Sequence, residues 1–215
     1  MGRTTNPTLQ AVQKNGPLRK TASAGAASLI RIKVVLEGIS PAIWRRIELP
    51  SDTTLKDCHQ IIQSVMGWRN ESAHRFVKDT KKISPNGRIN GTGKDALPAY
   101  RDACIGDLLL EPGDSFSYEY DSGEGWEHII ICEKVQPHAK GVIYPKCIGG
   151  ARSCPPERCG GKVGYFFLLE VVKNSNHPEH ENMLNRFGAF DPDQFDRRDI
   201  NERLKEENFG CFERE

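Results

Sequence analysis

Phe116, Tyr118 and Tyr120 alternate with Ser117, Glu119 and Asp121. The reversal Ser122-Gly123-Glu124-Gly125 follows, and Trp126 opens a second run with His128, Ile130 and Cys132 on one face and Ile129 and Ile131 on the other. A period of two on both sides of a glycine-bearing turn predicts an antiparallel pair of strands. An aromatic residue at every second position requires a core on that face. The returning strand is apolar on both faces, which predicts a central place in a sheet. The turn also carries chemistry, because Asp121, Glu124, Trp126 and His128 fall within eight residues.

The rest of the chain fits around that pair. Ile30, Ile32, Val34 and Leu36 alternate with Arg31, Lys33 and Val35, and a second alternating run covers Ile43 to Leu49. The short connection between them predicts an antiparallel hairpin. Thr54 and Asp57 form a capping box with Asp in the acidic position, and Leu55, Cys58, Ile62 and Val65 follow at helical spacing. Gly67 stops that helix, Trp68 plugs the end of the core, and His59 beside the stripe reads as a satisfied boundary histidine. His74, Phe76 and Lys78 predict a third strand. Residues 79–103 read as a long loop with Asn86-Gly87 and Asn90-Gly91 turns, and 105–110 as one helical turn. The apolar run Val163 to Lys173 predicts a helix packed on most sides, and Asn176-His177-Pro178 starts another. Phe187, Phe190 and Phe195 anchor a loop, and Asp196 caps a last helix with Ile200 and Leu204 as its apolar edge. The class is α+β: a mostly antiparallel sheet, a packed helix after strand 2 and several C-terminal helices.

Composition narrows the function classes. The 215 residues hold 30 Lys plus Arg against 29 Asp plus Glu, a net charge of +1, which argues against a wholly basic nucleic-acid binder but not against a basic patch. No apolar run is long enough to span a membrane, and the start lacks the apolar segment of a secretory signal, so a cytoplasmic location is expected. The seven cysteines then read as thiols. Residues 1–28 are poor in large apolar side chains and hold Arg3, Lys14, Arg19 and Lys20 with no acid, which predicts a flexible basic tail able to touch nucleic acid. Residues 29–205 read as one domain and 206–215 as a frayed C-terminal tail.

Several stretches, in this order, resemble the plasmid pRi ORF-3-like family, which also contains the passenger TnpR protein of a mycobacterial insertion element. They are Trp44-Arg45-Arg46-Ile47, Leu55 through His59 to Trp68, His74 with Phe76, Tyr120-Asp121 with Gly123, and Trp126-Glu127-His128. Pro155-Pro156-Glu157 with Cys159-Gly160-Gly161, and Asp191-Pro192 with Phe195-Asp196 and Asn201, complete the set. The resemblance implies a compact α+β domain often found near mobile elements, with no established activity. Ser122 stands where the family has an aromatic, Glu124 replaces an Asp, and Arg158 replaces an acid.

Three chemical readings of these residues stay open. Asp121, Glu124, His128 and Glu157 suit general acid–base or metal-assisted hydrolysis of a phosphoester, although no nucleophile motif accompanies them. Cys147, Cys154 and Cys159 with His128 suit a structural zinc, yet six and four intervening residues are not knuckle spacing. Trp44, Arg45, Arg46 and Trp126 suit a binding surface for nucleic acid or a partner. Against these, the turn acids bond local amides, His128 bonds Glu157, and the two arginines pair with Glu48 or Glu37. An accessory interaction module is the leading expectation. All of it requires the aromatic hairpin and the segment 147–161 to meet.

Overall fold

The structure, a computed structural model, describes residues 28–85, 99–139 and 141–212. Strands β1 (Leu29–Leu36) and β2 (Trp44–Pro50) pair antiparallel from Leu29↔Pro50 to Val35↔Trp44. Helix α1 (Leu55–Met66) begins where Thr54 Oγ1 accepts the Asp57 amide at 3.0 Å. It ends at Gly67, whose φ of 82° lets its N–H reach the carbonyls of Gln63 and Ser64. Next come β3 (His74–Lys78), β4 (Lys81–Ile83), the one-turn helix α2 (Ile105–Leu108), β5 (Ser115–Tyr120) and β6 (Trp126–Gln136). Strand β7 (Lys146–Ala151) precedes helices α3 (Gly161–Lys173), α4 (His180–Phe187) and α5 (Arg197–Arg203).

The strands form one sheet in the order β4-β3-β5-β6-β1-β2-β7, antiparallel at every pairing, so the chain is an α+β domain with the aromatic pair at its middle. Alternation decides the faces. Ile30, Ile32, Val34, Ile47, Leu49, Phe76, Phe116, Tyr118, Tyr120, Trp126, Ile130 and Cys132 turn inward, where Leu55, Cys58, Ile61, Ile62 and Val65 of α1 cover them. Burial of each large side chain there contributes about 1.5–3 kcal/mol. Lys33, Trp44, Arg46 and Glu133 lie on the opposite face, where they contact one another.

Four expectations change. The stretch 79–103 is not all loop, because Lys81–Ile83 pairs with β3; two lysines and one isoleucine carry too little alternation to announce a strand. Residues 86–98, with both Asn-Gly turns, lie outside the described residues. The cysteine- and glycine-rich stretch begins as β7, paired with β2. Its glycines make room rather than turns: a Cβ on Gly150 would lie 2.4 Å from the Phe195 ring, and one on Gly149 3.6 Å from Trp44. Helix α3 is not packed on most sides. Tyr165, Leu168, Leu169 and Val171 are buried, whereas Val163 is 83% and Phe166 46% exposed. Residues 207–210, read as part of a frayed tail, form a tight turn against α1, with Asn208 and Phe209 left-handed. Asn70 Nδ2 donates to Phe212 O at 2.9 Å just beyond it. The basic segment read as a flexible tail lies, through residue 27, outside the described residues.

Candidate functional site

The aromatic hairpin and the segment after β7 do meet. Asp121 sits at the turn with φ 53°, and its Oδ1 accepts the amides of Gly123 and Glu124 at 3.0 and 3.3 Å. That is the side-chain turn an Asp makes with the backbone two residues on. Glu124 faces the other way. Its Oε2 accepts Trp126 Nε1 at 2.9 Å, and its Oε1 accepts the Gly160 amide at 2.6 Å, just before α3. Gly161 then passes so close that a Cβ would lie 2.6 Å from the Glu124 carbonyl oxygen.

Glu157 makes the second link. Its Oε1 accepts the Tyr120 hydroxyl at 2.5 Å and its Oε2 the Arg69 amide at 2.8 Å. Burial, then the Glu157 carboxylate, push the Tyr120 phenol above its ordinary value. Trp68 donates its indole N–H to Pro155 O at 2.8 Å, stacks on Tyr120 at 5.1 Å and meets His128 edge-on at 5.1 Å. His128 is 0% exposed and does not bond Glu157. Its Nδ1 lies 3.2 Å from Tyr118 O, and since a carbonyl can only accept, Nδ1 carries the proton. Nε2 is then the bare nitrogen, with no partner among the described residues. Burial holds this imidazole neutral, its pKa down to about 3. The four residues expected to act together are thus divided: three carboxylates clasp backbone and aromatic donors, while the histidine lies sealed behind Trp68.

The expected zinc ligands also sit apart. Cys147 Sγ donates to Gly149 O, Cys159 Sγ to Gly161 O, and Cys154 Sγ lies 3.3 Å from Met66 Sδ. Burial raises all three thiols above their ordinary value, Cys159 to about 12. Among the described residues no three His, Cys, Asp or Glu side chains converge on a point. All seven cysteines are free.

The expected binding residues divide by strand alternation. Trp126 is buried in the core, clasped by Glu124. Arg45 points inward, 4% exposed, and pairs with neither Glu48 nor Glu37. Its Nε donates to Val65 O at the end of α1, its Nη1 to Trp44 O and Ala151 O, and its Nη2 to Arg152 O, all within 2.9 Å. Four carbonyls, one of them at the negative end of a helix, and the Cys154 sulfur at 3.3 Å hold this cation. Phe195 stacks on it at 5.0 Å. Glu48 binds Arg31 instead, at 2.7 Å. Arg46 points outward to a two-pronged pair with Glu133 at 2.6 and 2.8 Å. Trp44, half-buried on that outer face, has Arg46 at 5.1 Å and Lys33 at 5.2 Å from its ring centre. Lys33 was missed as a site residue, although the register Lys33↔Arg46 places it there. His59, read as a boundary residue, is buried, with Nδ1 2.7 Å from the Tyr118 hydroxyl and Nε2 2.8 Å from Asn70 Oδ1.

The fold and this clasp define an α+β domain whose polar cluster joins a central hairpin to the start of a C-terminal helix. The chain belongs to the plasmid pRiA4b ORF-3-like family, whose profile matches residues 28–199. It is similar to the uncharacterized protein y4hQ of Sinorhizobium fredii (strain NBRC 101917 / NGR234), 32% identical over 168 residues, which cover 78% of this chain and 84% of that protein. It also resembles the crystal structure of MM3350, a protein of unknown function from Methanosarcina mazei Go1. That match has a TM-score of 0.68 and 35% identity, over 81% of this chain and 98% of the other. No helix among the described residues is long and apolar enough to cross a membrane.

Proposed function

We propose that this chain is an interaction module for single-stranded nucleic acid, and that Trp44 on the outer face of the sheet is its central contact. The observation that carries the reading is a half-buried indole flanked by Lys33 and Arg46. An aromatic ring stacks on any base, and neighbouring cations attract the phosphates. Glu133 fixes the Arg46 guanidinium beside the ring, and Lys33 forms no ion pair among the described residues. An accessory role beside a mobile element accords with the plasmid in the family's description. The alternative of a metal-dependent hydrolase on Asp121, Glu124, His128 and Glu157 draws no support from their placement. Their oxygens are engaged by amides, an indole and a phenol, and the imidazole is enclosed.

Fluorescence titration with a single-stranded oligonucleotide tests the reading. Trp68 and Trp126 are buried, so stacking quenches Trp44 selectively. The expected result is quenching that weakens as salt rises, with Trp44→Ala losing about 1–3 kcal/mol of affinity. A chain starting at residue 28 measures the share of the basic N-terminal arm. Binding that is absent, or equal in wild type and Trp44→Ala, overturns the proposal.

A further inference from the structure

At the β7 edge of the sheet, α5 lies against the strand, and beside their contact is an open cleft of about 600 Å³. Lys146 lines it from the strand, and Arg197 and Arg198 from the helix. Two acids, Asp196 and Glu202, border the same space. Neither pairs with these cations. Asp196 Oδ1 accepts the amides of Arg198 and Asp199 at 2.8 and 3.0 Å, and Glu202 pairs with Lys205 at 2.8 Å. Among the described residues Lys146, Arg197 and Arg198 form no ion pair, and Arg197 reaches only Ile148 O, at 3.5 Å. The walls are braced. Asn201 takes the Cys147 amide on Oδ1 and gives Nδ2 to the Cys147 carbonyl, both at 2.9 Å, so the helix is pinned to the strand edge. The backbone that carries the three exposed cations is therefore held in place on both sides of the cleft.

The geometry points to this cleft as a phosphate-binding site. Asp196 already occupies the first amides of α5, so the anion is held by the three side chains and not by the helix end. Arg offers paired donors matched to phosphate oxygens, and Lys a mobile point charge. β7 is the strand beside β2, with Trp44 opposite Ala151 and Lys146 opposite Glu48, so the cleft and Trp44 lie four residues apart along the same strand pair. Four residues at about 3.3 Å each and one strand spacing of about 4.8 Å separate Trp44 from Lys146 by roughly 14 Å, so a strand several nucleotides long with a base on Trp44 is what would bring phosphates to the cleft. In this fuller form the inference rests on the function proposed above. As a site for the phosphate group alone, it does not.

The test uses the full chain and the double variant Lys146→Glu, Arg198→Glu. Neither side chain makes a hydrogen bond or ion pair among the described residues, and circular dichroism confirms that the variant folds. In the first arm, inorganic phosphate is titrated against labelled protein by NMR. The amides of Cys147 and Asn201 are expected to shift in wild type and to stay still in the variant. In the second arm, oligonucleotide affinity is measured against salt. Two lost phosphate contacts reduce the slope of log K on log salt by about 1.4, and affinity at low salt falls about tenfold or more. Shifts with phosphate but no oligonucleotide binding keep the site and refute the Trp44 reading. Oligonucleotide binding lost in Trp44→Ala but unchanged in the double variant, with no phosphate shifts, does the reverse. Phosphate shifts of equal size in wild type and variant also overturn the site.

Discussion

Glu124 Oε1 accepts the amide of Gly160 at 2.6 Å, and this bond ties the turn between β5 and β6 to the start of α3. The same carboxylate holds Trp126 in the core through its other oxygen. One side chain therefore links the middle of the sheet to the C-terminal helices.

Removing that link weakens the fold. Glu124→Ala leaves the Gly160 amide and the Trp126 indole without their acceptor, at a cost of about 1–3 kcal/mol. Gly161→Ala acts on the same contact from the other side: with φ at +65°, its Cβ meets the Glu124 carbonyl oxygen at 2.6 Å. It destabilises by more than about 1 kcal/mol. Urea midpoints read both, and wild-type midpoints in the two variants would show that the clasp carries no stability.

Arg45 is the second test. Arg45→Lys keeps the charge but loses the planar fork that serves four carbonyls at once. Arg45→Met leaves all of those carbonyls without the donor. Each variant is expected to lose about 3 kcal/mol or more, the lysine no better than the methionine. A lysine variant that melts with the wild type would mean that charge, not geometry, is what the site requires.

His128 makes stability depend on acid. Its pKa is lowered from 6.5 to about 3 in the folded chain, so between those values the unfolded state binds the extra proton. Stability is complete above pH 6.5 and falls on acidification until the folded pKa is reached. The slope is about 1.4 kcal/mol per pH unit. His128→Phe removes that contribution and flattens the acid limb of denaturation midpoints. An acid limb of unchanged steepness would show that other groups set it.

The thiols give a fourth reading. Cys104 is half-buried and the other six are buried, so a brief maleimide pulse followed by mass spectrometry should label Cys104 first. Cys147, Cys154 and Cys159 should react only after unfolding, and a zinc chelator should leave Tm unchanged. Early labelling of Cys159, or a Tm lowered by the chelator, contradicts the packing described here.

Much of the frame was legible in the order of side chains. Ile30 to Leu36 alternate, Leu55 to Val65 repeat at helical spacing, and Gly67 stops the helix with the positive φ its position requires. The meeting of the hairpin with the segment after Cys147 was legible as well, from the polar and aromatic residues gathered in both. The partners were not. Glu157 was matched with His128, yet Tyr120 and Arg69 hold it, since His128 faces the core side of Trp68. Strand β7 escaped notice because its two glycines serve Phe195 and Trp44, contacts outside the strand itself.

The sequence by itself determined which segments extend, which coil and which face of each is apolar, because those follow from spacing along the chain. Only the tertiary structure decided where the polar side chains end. Arg45 finds its acceptors on Ala151 and Arg152, 106 and 107 positions away, and Glu124 finds Gly160 36 positions away. A donor and acceptor pair only where packing of the apolar faces brings them within about 3 Å, and local periodicity holds no record of that distance.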